Sequence, residues 1–227
     1  AGGVALNCVA NGKILKKKLF KNLWIQPAAG DAGGSLGAAL AIYYEYFKKK
    51  RITKRNDSMK NSYLGPSFSN IEIKKFLDKK KIKYKFENER NLISSVASSL
   101  SKGKIIGWFQ NKMEFGPRAL GNRSIISDPR SNEMQKNLNL KIKFRESFRP
   151  FAPIVLKQKA SKWFSFNGSS PYMLLVSHIK DEKKLKVEEK KYKGLQKLYL
   201  KRSHIPAVTH VDYSARIQTL TKKNNLI

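Results

Sequence analysis

Apolar residues recur with helical spacing in four stretches of this chain. The clearest stretch is 91–101, whose apolar positions follow the 3.6-residue period of a helix: Leu92, Ile93, Val96, Ala97 and Leu100. Three further stretches are predicted to be helical: Leu36 to about Lys50 with Ser35 as N-cap, Ile71 to Lys80, and Met134 to Leu140.

Short apolar runs between these stretches predict strands. They cover residues 23–26, 82–86, 105–109, 151–156 and 207–212. Gly2–Asn7 is predicted to be a short buried strand after a glycine turn, and Asn11-Gly12 is a typical hairpin signal. Helices and short strands together indicate an α/β texture.

Charge invites a nucleic-acid interpretation, because the 227 residues carry a net charge of +31. The alternative is a compositionally biased genome, since lysines are scattered through every predicted loop. A single cysteine, Cys8, excludes an internal disulfide and suits a reducing cytoplasm. No apolar run approaches the ~20 residues of a membrane helix, and no secretory leader opens the chain, so we expect a cytoplasmic protein.

Both ends of the sequence look interrupted. The chain begins at Ala1 without methionine and stops at residues 224–227 without a predicted closing element. We therefore expect a fragment of a longer protein.

A glycine-rich segment at 26–37 joins a predicted strand to a predicted helix. Glycines at such a junction let backbone amides approach a phosphate or nucleotide, and the helix N-terminus adds positive potential. Asp31 is a candidate metal or hydroxyl ligand. The alternative is a tight turn in which Asp31 serves as a turn or cap residue.

A second segment, between Lys104 and Pro153, concentrates arginine. It holds five of the ten arginines in the chain: Arg118, Arg123, Arg130, Arg145 and Arg149. A guanidinium grips phosphate or carboxylate oxygens with two parallel hydrogen bonds, which an ammonium cannot do. The alternative is ion pairing on the surface, but the four acids Glu114, Asp128, Glu133 and Glu146 cannot neutralise these arginines together with four nearby lysines, Lys143 among them. We therefore predict an anion pocket.

A third segment runs His210-Val-Asp212-Tyr-Ser214-Ala-Arg216. In an extended chain His210, Asp212 and Ser214 would share one face and suggest a catalytic triad. Strand neighbours two residues apart lie side by side rather than in relay order, so we discount the triad and interpret Arg216 as a further anion ligand.

With these motifs in view, the chain resembles the O-carbamoyltransferases of antibiotic, nodulation-factor and surface-polysaccharide biosynthesis. The resemblance rests on residues 2–12, 26–34, 113–124, 148–153 and 209–212. It implies the α/β (α+β) fold class, with the C-terminal part of an actin/hexokinase-like domain at 1–55, a linker at 56–84 and a truncated YrdC-like domain at 85–227. Tyr213 departs from the family pattern, which has a small residue, usually glycine, at that position.

The resemblance also implies a two-step, ATP-dependent carbamoyl transfer. Carbamoyl phosphate and ATP would form carbamoyl-adenylate, whose carbamoyl group then passes to a hydroxyl of a sugar-containing acceptor. By this resemblance the phosphates are held by four residues: Arg118, Lys143, Arg149 and Arg216. The nucleotide side would involve Gly2, Gly3, Asn7, Gly30 and Arg123.

Two metal ions are implied as well. Mg²⁺ would accompany ATP, and Asp31 would be one ligand of Fe²⁺, whose histidine ligands lie outside this chain. The chain is therefore expected to retain at most the first half-reaction, and a homodimer is left open.

An RNA-binding protein or one related to tRNA threonylcarbamoylation is the main alternative. Phe144, Phe148 and Phe151 argue against it, because they are expected in the core rather than as stacking platforms for bases. A sugar kinase is a third alternative, in which the arginine-rich segment would have no clear role.

Overall fold

Three two-stranded sheets and five α-helices make up the described part of the protein, residues 2–53 and 57–221 of a computed structural model. The helices are α1 (Cys8–Lys17), α2 (Asp31–Ala41), α3 (Asn70–Lys79), α4 (Glu89–Ser101) and α5 (Met134–Leu138). The strands are β1 (Ile106–Phe109), β2 (Arg123–Ile126), β3 (Ile154–Leu156), β4 (Val176–His178), β5 (Ser214–Arg216) and β6 (Gln218–Leu220). This mixture agrees with the predicted α/β class, while the actin-like and YrdC-like assignments stay predictions.

Strand pairing fixes two of the arginines. β1 and β2 are antiparallel with Phe109 opposite Arg123, and β4 and β5 are antiparallel with Val176 opposite Arg216. β3 and β6 run parallel. The hydrogen bonds of the two sheets therefore hold the backbone of each of these two arginines in place.

The main core surrounds β5. Its buried members are Phe164, Ile179, Ile205, Val208, Ala215 and Ile217. Successive side chains of a strand point to opposite faces, so burial of Ala215 and Ile217 directs Arg216 to the other face. A smaller cluster of Met134, Leu138 and Ala207 lies beside this core, and Phe151 packs against both.

Helices α3 and α4 and strand β1 confirm the sequence predictions. A capping box opens α3, in which Ser69 Oγ accepts from the Glu72 amide at 3.2 Å and the Glu72 carboxylate accepts from the Ser69 amide at 2.7 Å. Asn88 caps α4 by accepting from the Asn91 amide at 2.9 Å. Local sequence signals therefore determine where these helices begin.

The predicted strand at Gly2–Asn7 is wrong. Residues Gly3–Leu6 form a 3₁₀ turn, and Asn7 caps α1 by accepting from the Ala10 amide at 3.0 Å. The predicted hairpin at Asn11-Gly12 is wrong for the same reason, since both residues lie inside α1. Asn11 Nδ2 donates to the Leu174 carbonyl at 3.1 Å, so this pair makes a long-range contact rather than a turn.

Several other boundaries also differ from the prediction. Helix α2 begins at Asp31 with Gly30 as its N-cap, and Ser35 Oγ donates to the Ala32 carbonyl at 2.8 Å instead of capping. Residues 23–26 and 82–86 lie outside the helices and strands of the described chain. The strand predicted at 151–156 is confirmed over its second half, β3.

A turn replaces the strand predicted at 207–212. Pro206–Val208 form a 3₁₀ turn, and the His210 amide then donates to the Ser214 carbonyl at 2.8 Å. Tyr213 has a φ of 61°, the left-handed conformation that glycine adopts at least cost. This conformation explains why a small residue suits the position, and it reverses the chain just before β5.

Some sequence expectations fall on residues outside the described ranges. They are the missing closing element at 224–227 and the boundary between the first segment and the linker, which was placed at 55–56. Within the described ranges, no helix is long and apolar enough to cross a membrane.

Helix α1 packs against β4 through Gly12, and we predict that this contact tolerates no side chain. A Cβ at Gly12 would lie 2.6 Å from the Val176 carbonyl oxygen and 2.8 Å from its Cγ2. Gly12→Ala should lower the free energy of unfolding by about 1–3 kcal/mol through overpacking. Urea unfolding measures the change.

The matched control is Gly37, a glycine inside α2 whose added Cβ would meet no atom within 4 Å. Gly37→Ala should raise the free energy of unfolding by about 0.5–1 kcal/mol, the helix-propensity gain of alanine. A Gly12→Ala protein as stable as the parent would refute the close packing of α1 on β4.

Candidate functional site

Four cationic side chains line one cavity of about 400 Å³. They are Arg118, Lys143, Arg145 and Arg216, and we call the cavity the arginine pocket. Its remaining wall includes Ser124, Ser127, Phe151 and Met173. The pocket therefore combines several hydrogen-bond donors with an apolar lining, which is the usual character of a small-ligand site.

A buried carboxylate organises the loop that carries Arg118, residues 114–123, which we call the arginine loop. Glu114 is 7% exposed, and its Oε1 accepts from the amides of Leu120, Asn122 and Arg123 at 2.7, 2.8 and 3.2 Å. Because this oxygen is occupied by backbone amides, Glu114 fixes the shape of the loop.

Two further side chains hold the same loop at the Leu120 carbonyl. The Tyr63 hydroxyl donates to it at 2.9 Å and Gln218 Nε2 donates at 2.8 Å. Burial, followed by the charge of Glu114, raises the pKa of Tyr63 to about 12, so the hydroxyl keeps the proton that it donates. The loop is thus attached both to the 57–66 segment and to β6.

Arg216 lies among other cations. Burial lowers its pKa most, and the neighbouring guanidiniums of Arg118 and Arg145 lower it further, while the Cys8 thiol acts in the opposite direction. Arg118 Nε is buried and has no hydrogen-bond partner among the described residues. The positive charge of this pocket is therefore concentrated and only partly satisfied by the protein.

Nearby acids are engaged elsewhere. Asp128 forms an ion pair with Arg130, and Glu146 accepts from Arg149 Nε at 2.8 Å. In the described part of the chain, none of the four pocket cations forms an ion pair with a carboxylate. The pocket thus has the electrostatics that the anion prediction requires.

The structure brings three of the four predicted phosphate-binding residues together: Arg118, Lys143 and Arg216. Arg149 is outside the pocket lining, and the side chains of Arg149 and Glu146 are both 53% exposed. Arg145 also lines the pocket; it is one of the five arginines from which the sequence predicts an anion pocket, although the family resemblance does not assign it to phosphate. Its position after a left-handed residue, Phe144 with φ of 48°, has no signal in the sequence.

The guanidinium of Arg123 contacts backbone carbonyls and an aromatic ring of the protein itself. Its Nη1 donates to the Asn122 carbonyl at 2.8 Å and its Nη2 to the Asn111 carbonyl at 3.0 Å. The guanidinium carbon lies 3.5 Å from the centroid of the Phe109 ring. The structure therefore places Arg123 away from the pocket lining, between a turn and a ring.

The three phenylalanines differ from one another. Phe151 packs against both core clusters, as expected, but Phe144 is 85% exposed and Phe148 is 40% exposed. The prediction of a core position is therefore wrong for both Phe144 and Phe148, whose side chains are exposed.

A second cavity of about 510 Å³ is formed by the first glycine-rich segment. Gly2, Gly3, Gly30 and Asp31 all line it, and we call it the glycine groove. Asn7, another predicted nucleotide contact, is outside the lining and caps α1. Residues 2–3 and 30–31, two pairs that are separated in the sequence, thus meet in one groove.

The described residues do not fit a complete metal site. In the ranges 2–53 and 57–221, no three His, Cys, Asp or Glu side chains come together as metal ligands. Asp31 is exposed at the first position of α2 and offers one carboxylate. Iron at this position would take its other ligands from elsewhere.

The segment around Arg118 and the glycine-rich segment are in close contact. Gly116 has a φ of 109°, and a Cβ there would lie 2.5 Å from the Ala28 Cβ. Gly116 belongs to the arginine loop and Ala28 to the glycine-rich segment. The two most distinctive motifs of the sequence are therefore in contact.

The segment 210–214 is a hydrogen-bonded turn. His210 Nδ1 and Ser214 Oγ are 2.9 Å apart, and the Ser214 amide donates to Asp212 Oδ1 at 3.0 Å. Asp212 contacts the backbone of Ser214 rather than the His210 ring. This geometry supports a positioning role for the turn at the start of β5.

These features define an α/β protein with a pocket lined by four cationic side chains. Family models identify the class further: the carbamoyltransferase C-terminus model matches residues 97–227, more than half of the chain, and the carbamoyltransferase N-terminus model matches residues 1–40. The chain belongs to the carbamoyltransferase family. The resemblance found in the motifs is thereby confirmed.

Three curated relatives show the range of the similarity. The chain is 52% identical to protein sll1178 of Synechocystis sp., 37% identical to nodulation protein NolO of Bradyrhizobium diazoefficiens and 29% identical to 3'-hydroxymethylcephem-O-carbamoyltransferase of Streptomyces clavuligerus. Each match covers 99% of this chain, but 37%, 38% and 37% of the respective relative. The chain thus spans less than two-fifths of the length of these relatives.

We predict that removing the Glu114 carboxylate disorders the arginine loop. Glu114→Ala leaves three buried amides without their acceptor and should lower the free energy of unfolding by about 2–4 kcal/mol. Urea unfolding measures this loss, and hydrogen exchange at Leu120 and Asn122 should accelerate. Glu114→Gln keeps the accepting oxygen and should cost less; equal losses for both variants would contradict the role of that oxygen.

Acid should destabilise the protein through His210. Burial lowers its pKa first, Arg216 adds to the shift and Asp212 opposes it. Since the unfolded histidine takes up a proton near its ordinary pKa of about 6.5, stability is lost as pH falls below that value. Urea unfolding at about pH 7.5 and about pH 5.5 should show a smaller acid-induced loss for His210→Gln than for the wild type.

The exposed His204 provides the control for this measurement. His204→Gln should keep the wild-type acid-induced loss. If His204→Gln reduced that loss as much as His210→Gln, burial of His210 would not be its source.

Proposed function

We propose that the arginine pocket binds the phosphate groups of carbamoyl phosphate and ATP, and that the protein containing this chain is an ATP-dependent O-carbamoyltransferase. The observation that carries the proposal is the convergence of Arg118, Lys143, Arg145 and Arg216 without a carboxylate partner among the described residues. Membership of the carbamoyltransferase family supports a carbamoyl donor as the ligand.

Charge explains why several cations are needed. Carbamoyl phosphate and ATP together bring about six negative charges, which repel each other unless cations converge on them. Arg118 and Arg216 are partly desolvated, so each attraction to a phosphate oxygen is stronger than in water. Mg²⁺ bound with ATP would neutralise further charge.

The first half-reaction begins with carbamoyl phosphate in this pocket. Water hydrolyses carbamoyl phosphate to carbamate and inorganic phosphate. A carbamate oxygen then attacks the α-phosphorus of ATP, and the bond to the bridging oxygen breaks, so pyrophosphate leaves with the electron pair. Fixed guanidiniums stabilise both the transition state and the departing pyrophosphate.

The second half-reaction transfers the carbamoyl group. A hydroxyl oxygen of a sugar-containing acceptor attacks the carbamoyl carbon, and the bond from that carbon to the AMP phosphate oxygen breaks. AMP leaves with the electron pair, and the hydroxyl proton passes to solvent. We assign the glycine groove to the adenylate, because Gly2, Gly3 and Gly30 let a ligand approach the backbone there. The name of the Streptomyces clavuligerus relative specifies a hydroxymethyl acceptor, which supports a hydroxyl acceptor for this protein.

The contact between Gly116 and Ala28 supports a connection between the two half-reactions. Because this contact brings the segments of the two cavities together, an intermediate would travel a short distance between the cavities. A short, enclosed path protects a hydrolysable adenylate from water.

We predict that Arg118→Ala weakens binding of carbamoyl phosphate, measured by calorimetric titration at moderate salt with a non-hydrolysable ATP analogue present. Loss of a charged hydrogen bond should raise the Kd about ten- to hundredfold, and Lys143→Ala should raise it about tenfold. Arg149→Ala should cost less than Arg118→Ala, because the Arg149 guanidinium pairs with Glu146 outside the lining.

Arg130 provides the control, since this exposed arginine of the same segment pairs with Asp128. Arg130→Ala should keep the wild-type Kd. Equal affinities of wild type and Arg118→Ala would refute the pocket assignment, and a larger loss in Arg149→Ala would place the ligand elsewhere. Tight RNA binding that falls steeply with salt, in a protein that binds no carbamoyl phosphate, would instead favour the nucleic-acid alternative.

A further inference from the structure

The segment between α5 and β3 contains a buried amide whose role the proposed function does not explain. We propose that Asn139 is the residue that positions Arg145 in the arginine pocket. This inference rests on the proposed function for the identity of the ligand. It concerns the contact by which Asn139 holds the Arg145 side chain at the lining of the pocket.

Asn139 is completely buried and uses both ends of its amide. Its Nδ2 donates to the carbonyls of Ser147 and Arg149 at 3.1 and 2.8 Å, and its Oδ1 accepts from Arg145 Nε at 2.7 Å. The two carbonyls can only accept, so they determine which end of the amide faces Arg145. A buried amide with every partner in place holds a single orientation.

The backbone adds a further contact between the same residues. The Arg145 amide donates to the Asn139 carbonyl at 3.1 Å, directly after the π-helical turn at 139–143, which the Phe144 amide closes by donating to the same carbonyl. Arg145 is thereby held at both its backbone and its side chain by one residue. The guanidinium carbon also lies 5.1 Å from the centroid of the Phe151 ring, which itself lines the pocket.

This arrangement leaves the end of the guanidinium available. Arg145 Nε is occupied by Asn139, whereas Nη1 and Nη2 have no hydrogen-bond partner among the described residues. Arg145 nevertheless lines the pocket and lowers the pKa of Arg216 through its charge. Two parallel N–H groups at a fixed position are suited to phosphate oxygens.

In two other arginines of this protein, the Nη groups donate to backbone carbonyls. Arg202 is 3% exposed and its Nη2 donates to the Lys197 carbonyl at 2.6 Å, while Arg123 gives both Nη groups to carbonyls. In both, the protein itself uses the ends of the side chain. Arg145 differs because the protein holds its Nε and leaves the ends for a ligand.

The test is calorimetric titration of carbamoyl phosphate and, separately, of pyrophosphate into the chain and its variants. Arg145→Ala should raise the Kd for both anions about ten- to hundredfold. Arg145→Lys should not restore affinity, because an ammonium cannot donate to Asn139 and present two parallel N–H groups at once. Arg130→Ala serves as control and should bind like the wild type.

Asn139 is tested by a double-mutant cycle. Asn139→Ala should weaken anion binding in the wild-type background and have no further effect on the Kd in the Arg145→Ala background, although it lowers the melting temperature in both. A merely structural role would instead weaken binding equally in both backgrounds. If Asn139→Ala does not fold, Asn139→Ser is measured in the same cycle, since its shorter side chain also removes the accepting oxygen from Arg145 Nε.

The two titrants separate this inference from the proposed function. A wild type that binds pyrophosphate but not carbamoyl phosphate would refute the proposed donor, and Arg145 would be judged on pyrophosphate. Wild-type affinity for both anions in Arg145→Ala would overturn the inference. A wild type that binds neither anion would overturn both proposals.

Discussion

Like-charge repulsion in the arginine pocket is the constraint on which the surrounding structure depends. Guanidiniums gathered in one cavity repel each other, and the described residues supply no carboxylate to neutralise them. Such an arrangement persists only if rigid elements hold each cation. Each of the three pocket arginines has its own support: the Glu114-organised loop for Arg118, the alternation of β5 for Arg216 and the Asn139 amide for Arg145.

These supports share one physical strategy. Glu114 and Asn139 are buried polar side chains that hydrogen-bond mainly to backbone groups rather than to other charged side chains. A carboxylate that paired with a guanidinium in the pocket would neutralise the charge that binds the ligand. Glu114 instead accepts hydrogen bonds from backbone amides. Its charge therefore stabilises the conformation of the loop and is not paired with a guanidinium. A phosphate bound as we propose would relieve the repulsion that remains, and this relief would add to its affinity.

The sequence predicted the parts of this structure that depend on local signals. α3 and α4 begin at side-chain caps, and β1 is a short buried run, so period and capping were sufficient. Prediction failed at Asn11-Gly12, because the same dipeptide suits a hairpin or a close helix contact, and only the tertiary contact with Val176 decides. It also missed the left-handed backbone of Phe144 and Tyr213, two residues whose identity favours no such conformation.

The sequence indicated the segment that carries most of the pocket cations, but it did not indicate which residues of that segment line the pocket. Concentration of arginine predicts an anion pocket, and a strand period explains Arg216 once Ala215 and Ile217 are known to be core. Which arginine of the 143–149 segment enters the pocket depends on a buried amide six residues before Arg145 and on an ion pair three residues before Arg149. Those contacts exist only after folding. The separate motifs come into contact for the same reason. Gly116 contacts Ala28, and Asn11 donates to the Leu174 carbonyl, only after folding has packed the first forty residues against the arginine loop and β4.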